Sequence, residues 1–179
     1  MTIPTQNFTI AANAATTCAI DLGGNSSCNV ILTNTGNNGL LYDPIDSISV
    51  GNLTITPKQL KQNETETISF VSGNTFSAMP WPDLTQATTL RAYVLLPQSF
   101  SVAGITQIGV NLYGNPSAKL SLTNSGSNPL RYTLDGLMQN ANLLLPGAQA
   151  VISYSSASNF MAQALPGLNT TLTVIVLPN

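Results

Sequence analysis

Residues 31–42 read ILTNTGNNGLLY and residues 121–132 read SLTNSGSNPLRY, the second segment beginning 90 positions after the first. The match runs upstream without a gap, AIDLGGNSSCNVILTN from Ala19 against GVNLYGNPSAKLSLTN from Gly109. Further out, Phe8-Thr9-Ile10-Ala11 pairs with Phe100-Ser101-Val102-Ala103, and Ile55-Thr56-Pro57 with Leu144-Leu145-Pro146. Ile68-Ser69-Phe70 pairs with Ile152-Ser153-Tyr154, and the stretch from Thr88 to Leu95 with that from Thr170 to Leu177. Correspondences kept in one order are the signature of a repeated structural unit. They predict a first unit over residues 1–98 and a second, shorter one over 99–179, joined near Pro97-Gln98-Ser99. The stretch from Lys58 to Thr67 has only the short counterpart Gly147–Val151, and it gathers Lys58, Lys61, Glu64 and Glu66. It reads as a solvated loop of the first unit.

Within each unit the local signals are β. Apolar residues alternate with polar ones or run for short stretches rich in Thr, Val, Ile and Tyr. Turn signals (Gly23-Gly24, Gly36-Asn37-Asn38-Gly39, Ser72-Gly73-Asn74, Asn115-Pro116) punctuate them at the rhythm of a β-sandwich. Only residues 159–165 and 135–138 suggest a short helical turn. The fold class expected is all-β, with two tandem immunoglobulin-like sandwiches.

The composition fits that plan and excludes several chemistries. Of 179 residues, 5 are basic and 7 acidic, with a net charge of -2 and no histidine. Five cations cannot neutralise a phosphate backbone, so no nucleic-acid partner is expected. Histidine-based metal sites and triads are ruled out. No Gly-x-Ser-x-Gly elbow occurs, and scattered carboxylates give no paired acid and base; no enzyme and no cofactor are expected. No apolar run reaches the ~18 residues of a membrane span, and no basic and apolar leader opens the chain. Asn, Thr and Ser make up 57 residues, a surface of amides and hydroxyls. They form five Asn-x-Ser/Thr sequons, at Asn7, Asn25, Asn52, Asn63 and Asn169, as such a composition produces by chance.

Cys18 and Cys28 flank Gly23-Gly24-Asn25-Ser26-Ser27 in alternating segments, a pattern that reads as a hairpin. Opposed positions in a hairpin approach within disulfide range, so a Cys18–Cys28 bridge is expected in the first unit; two buried free thiols are the alternative. A bridge would place the protein in the periplasm, at the cell surface or in the medium.

The Leu-Thr-Asn-Thr/Ser-Gly signature, followed by Asn and Leu, resembles that of bacterial immunoglobulin-like domains of the ASPM/SPD-2/Hydin-like (MSP-like) group. Leu145-Pro146-Gly147 with Ile152-Ser153-Tyr154 is similar to a second motif of that group. The resemblance implies a sandwich fold with a binding or scaffolding role, and no chemistry.

Two sets of residues stand out as candidates. Asn34 and Gly36, with Asn124 and Gly126, read as structural turns in which the amide caps backbone groups and the glycine supplies positive φ. Trp81, between Met79-Pro80 and Pro82-Asp83, reads either as an exposed contact for a partner or as a plug closing its loop. Asp43, Asp46 and Asp135 offer oxygen ligands for calcium, but no dense acidic run supports a metal site. The function expected is a non-enzymatic extracytoplasmic interaction module binding a protein or glycan. The alternative is a structural subunit of a pilus, secretion apparatus or virion, and the oligomeric state is left open.

Overall fold

A computed structural model describes residues 4–43 and 57–178. The chain divides into two compact units, Met1–Leu95 and Leu96–Asn179. The division falls three residues before the expected junction, because Pro97 and Gln98 are already paired in the first strand of the second unit, opposite Ile175 and Val174.

The first unit contains β1 (Thr5–Ile10), β2 (Thr16–Cys18), β3 (Ser27–Asn34), β4 (Gly39–Asp43), β5 (Lys58–Leu60), β6 (Thr65–Val71), β7 (Phe76–Trp81) and β8 (Thr88–Val94). The second contains β9 (Pro97–Ala103), β10 (Ile105–Gln107), β11 (Ser117–Asn124), β12 (Leu130–Thr133), β13 (Asn142–Leu144), β14 (Gln149–Ser155), β15 (Met161–Ala164) and β16 (Asn169–Val176). These strands form where the sequence alternates. In β3, Cys28, Val30, Leu32 and Asn34 are buried while the residues between them face outward, the period-two pattern of a sheet with one face on a core.

The strand order decides the fold type. The first unit has two sheets, β1-β8-β3-β6 and β2-β7-β4-β5; the second repeats them as β9-β16-β11-β14 and β10-β15-β12-β13. Every pairing is antiparallel, and in each unit the first strand pairs the eighth, the second the seventh, the third the sixth and the fourth the fifth. Each unit behaves as one long hairpin rolled into a sandwich, which is the jelly-roll order. An immunoglobulin sandwich would instead pair consecutive strands at its start and end. That part of the expectation is corrected. All-β sandwiches stand; the immunoglobulin-like strand order does not form, because turn and core motifs are shared by both architectures and carry no pairing information.

Two local readings change with it. The stretch from Lys58 to Thr67 is not a loop: it supplies β5 and the start of β6, with Leu60 buried opposite Leu40. Leu144 sits opposite Leu130 in the same way, so Leu60, not Ile55, is its counterpart. The extra residues of the first unit therefore fall between β4 and β5, over residues 44–57 against 134–141. Asp46 and the Ile55-Thr56 pair lie there, outside the described residues. Second, residues 161–164 form β15 rather than a helical turn; among the described residues the helical element is a 3₁₀ turn at Met138–Asn140.

Each unit has its own core. In the first, Tyr42 and Phe76 stack at 5.6 Å among Ile10, Leu32, Leu40, Phe70 and Leu90. In the second, Phe160 packs edge-on to Tyr132 at 6.4 Å, among Leu120, Leu122, Leu130, Leu172 and Val174.

Candidate functional site

One end of each sandwich is built around a buried asparagine. Asn34 closes β3 and is wholly buried. Its amide donates to the carbonyls of Asn38 (2.8 Å) and Leu60 (3.1 Å), and its oxygen accepts from Gly36 N–H (3.1 Å) and the Thr88 hydroxyl (3.1 Å). Asn124 repeats the pattern with Asn128 (2.9 Å), Leu144 (3.0 Å), Gly126 (3.2 Å) and Thr170 (2.9 Å). Both donors and both acceptor positions of the amide are used, so burial leaves no polar group unpaired. The side chain joins the β3–β4 turn to β5 of the opposite sheet and to β8, and in the second unit the β11–β12 turn to β13 and β16.

The glycine in the motif has a different reason from the one expected. Neither Gly36 nor Gly126 has positive φ. A Cβ on Gly36 would lie 2.5 Å from the Thr89 amide nitrogen and closer still to Thr88 Oγ1; one on Gly126 would meet Thr171 and Thr170 in the same way. The requirement is close approach to the last strand. Sequence reading found the asparagine and glycine but missed their threonine partners, although Thr88 and Thr170 head matched blocks.

These locks hold the turns at one end of each sandwich. In the second unit the turns are β9–β10, β11–β12, β13–β14 and β15–β16, tied together by Gly147 N–H on Asn124 O (2.8 Å), Asn128 Nδ2 on Asn169 O (2.8 Å) and Ala164 N–H on Gly104 O (3.3 Å). Four large apolar side chains are exposed at this end: Ile105, Leu145, Leu165 and Leu168. Leu165 and Leu168 share the β15–β16 turn, Leu145 lies in the β13–β14 turn and Ile105 opens β10 after the β9–β10 turn; only the topology brings these three places to one end.

The first unit shows the same end differently. Trp81, 41% exposed, ends β7 opposite Gly39, so the proline-flanked stretch is strand rather than loop. Met79, two residues earlier on the same face of β7, is half-buried. The peptide from Trp81 to Pro82 is cis. Asp83 follows in the turn, where its carboxylate accepts from Thr85 N–H (2.9 Å) and hydroxyl (2.7 Å), and these bonds hold its carboxyl below the usual range. The Asp83 carbonyl accepts from Asn38 Nδ2 at 2.6 Å. Trp81 and Leu84 are both exposed here. At this end an open, uncharged depression of about 290 Å³ is lined by Thr9, Thr35, Gly36, Asn37 and the stretch from Gln86 to Thr89. At the lower limit of small-ligand pockets, and open, it suits a side chain or sugar edge better than an enclosed ligand.

The cysteines do not meet the expectation set for them. Cys18 in β2 pairs with Phe76, and Cys28 in β3 pairs with Phe70, in different sheets; the hairpin does not form and both thiols are free and buried. Burial pushes the Cys18 thiol up to about 11 and raises that of Cys28 as well, which makes both poor nucleophiles at neutral pH. Their counterparts Ile108 and Ala118 are buried too, so the cysteines act as small apolar core residues.

The remaining polar clusters serve the scaffold. Glu66 accepts from Lys58 Nζ at 2.7 Å and from the Tyr42 hydroxyl in a short bond, joining the two sheets of the first unit. Asp135 accepts from Thr133 and from Leu137 N–H (2.8 Å), which keeps its carboxyl below the ordinary range. Asp43 is buried at the end of β4. Among the described residues no three His, Cys, Asp or Glu side chains cluster as metal ligands would.

No family model matches the chain, and no curated protein matches it significantly. Among solved structures it is similar to a cupin 2 conserved barrel domain protein from Leptotrichia buccalis, at 12% identity over 97% of this chain and 83% of that one, with a TM-score of 0.35. The major capsid protein P2 from bacteriophage PM2 is similar at 9% identity over 96% of each chain, with a TM-score of 0.27. The STIV MCP is similar at 10% identity, covering 96% and 93%, with a TM-score of 0.27. At these scores the likenesses bear on neither activity nor partner; the strand order above rests on the pairings alone.

Proposed function

We propose that the protein is a non-enzymatic interaction module that engages a protein partner through the turn-bearing ends of its sandwiches. The observation that carries this reading is the gathering of exposed apolar side chains there: Trp81 and Leu84 in one unit, and Ile105, Leu145, Leu165 and Leu168 in the other. Such residues, rimmed by amides and hydroxyls, make an interface of apolar anchors in a polar surround. The paired carboxylates, hydroxyls and buried amides are engaged in holding turns, which leaves the ends rigid and preformed for binding. With both thiols free, no bridge ties the protein to an oxidising compartment, and the reading stands without one. A glycan partner is the alternative, at Trp81 or at the depression of the same end.

Photo-crosslinking from the assembled chain tests it. A crosslinker at Trp81 or Leu165 is expected to capture one defined protein, while one at Val71 or Leu137, at the opposite ends, captures none. Capture from Val71 and Leu137 alone would refute the proposal. Glycan-array binding that disappears in Trp81→Ala would replace the protein partner with a carbohydrate.

A subunit of a larger assembly is the second reading. Exposed Val151 and Leu143 on edge strands of the second unit favour it.

A further inference from the structure

The two units repeat each other strand for strand, yet they treat one side of the sandwich differently. In the first unit the neighbouring edge strands β5 and β6 are closed by the Lys58–Glu66 ion pair, and the Glu66 side chain lies on the inward face of β6 with Ile68 and Phe70. An inward-pointing charge at a sheet margin is a device that blocks edge-to-edge pairing, because a second strand docking there would desolvate it. In the second unit the matching positions, by the register of Leu60 with Leu144 and Ile68 with Ile152, are Asn142 and Ala150. The device is gone.

What remains is an open seven-residue edge, Gln149–Ser155 (QAVISYS), with neither charge nor proline. Among the described residues it pairs only with β11, so one row of its backbone donors and acceptors faces away from the sheet. Val151 on its outer face is 64% exposed, the highest value among the exposed large apolar side chains of the described residues. The other edges of this unit are less open: β9 begins at Pro97, and β10 and β13 have three residues each.

We infer that β14 is a strand-addition surface for a second copy of this chain, paired antiparallel about a two-fold axis at Ile152. That arrangement sets Gln149 opposite the partner's Ser155, Ala150 opposite the partner's Tyr154 and Val151 opposite the partner's Ser153. No charge faces its own copy anywhere along the strand, the condition a self-complementary pairing must meet. Main-chain bonds supply affinity and the register supplies specificity. The same axis through β6 of the first unit, at Ile68, would set each Glu66 opposite the partner's Phe70 and desolvate the carboxylate that Lys58 pairs. The inference is independent of the turn-end reading, since it uses a strand edge and not the turns.

Analytical ultracentrifugation of the full chain tests it. The wild-type protein is expected to pass from monomer to dimer with concentration, and Val151→Lys to weaken that dimer at least tenfold with unchanged circular dichroism. Ser153→Glu is expected to weaken it likewise and provides a second test should the lysine variant fold poorly. Mixing the two variants is expected to restore a heterodimer, because the introduced ammonium and carboxylate then face each other across the axis. A wild-type chain that stays monomeric, including one whose edge accepts only a strand from another protein, overturns the inference. So does a dimer that both variants leave intact. Leu165→Ser is expected to leave dimerisation unchanged, which separates this surface from the turn ends.

Discussion

At the scale of single residues, the asparagine in each Leu-Thr-Asn-Thr/Ser-Gly motif uses its whole amide to tie a turn to strands of both sheets. Replacing Asn124 by alanine removes the amide partner of the Asn128 and Leu144 carbonyls and of the Thr170 hydroxyl, while the Gly126 amide keeps its bond to the Thr171 carbonyl (3.2 Å). Each unsatisfied buried group costs about 1–3 kcal/mol, with partial relief from entering water. Asn124→Ala is therefore expected to destabilise the second unit by about 3 kcal/mol, lowering its calorimetric Tm by roughly 10 °C or more. Gly126→Ala is expected to cost roughly 1–3 kcal/mol by collision with Thr170 and Thr171 rather than by backbone strain. The cysteines give a contrasting expectation: reductant leaves the Tm unchanged, and the denatured chain titrates two thiols. A Tm that falls with reductant would restore the bridge. Glu66 sets an acid limit on the first unit. The Lys58 ammonium and the Tyr42 hydroxyl hold its carboxyl below the usual range, against the opposing effect of burial. A carboxyl with a lowered folded value contributes stability above its unfolded value and loses it as pH falls through the folded one. Below about pH 4.5 the first unit should therefore lose stability that Glu66→Gln lacks at every pH, which calorimetry against pH would show as a flatter acid limb in the variant.

At the scale of elements, the sequence reveals the strands far better than it reveals their partners. The repeat, the alternation in β3 and β11, and the blocks ending each unit all correspond to paired strands. The matched Phe8 and Phe100 even occupy equivalent places, opposite Leu90 and Leu172. Pairing was not legible because a period of two fixes which face a residue takes and says nothing about which strand lies beside it. The same ambiguity produced the Cys18–Cys28 hairpin: two alternating segments around a glycine turn look like neighbours, yet β2 and β3 belong to different sheets. Charge misled once more at Lys58–Thr67, where Lys58 and Glu66 are the polar seam between two strands rather than a solvated loop. Of the candidate contacts, Trp81 could be read from its chemistry. The grouping of Ile105 and Leu145 with Leu165 and Leu168 could not, since only the rolled topology brings their turns to one end.

At the scale of the whole molecule, the low charge takes on a structural meaning. Two small sandwiches with separate cores leave many strand edges and turns at the surface, and among the charged side chains Lys58 and Glu66 close an edge while Asp83 and Asp135 hold turns. The rest is amide, hydroxyl and isolated apolar side chains, a surface suited to recognition without electrostatic steering. Because each unit contains its own core, residues 96–179 expressed alone are expected to unfold cooperatively in urea; a non-cooperative transition would show that the second core depends on the first. The central claim is that each unit is a hairpin rolled so that its first strand lies beside its last. Backbone nuclear Overhauser contacts measure this directly. The account predicts cross-strand contacts between β1 and β8 around Phe8 and Leu90, and between β9 and β16 around Phe100 and Leu172. Contacts placing β1 beside β3, or β9 beside β11, would contradict it.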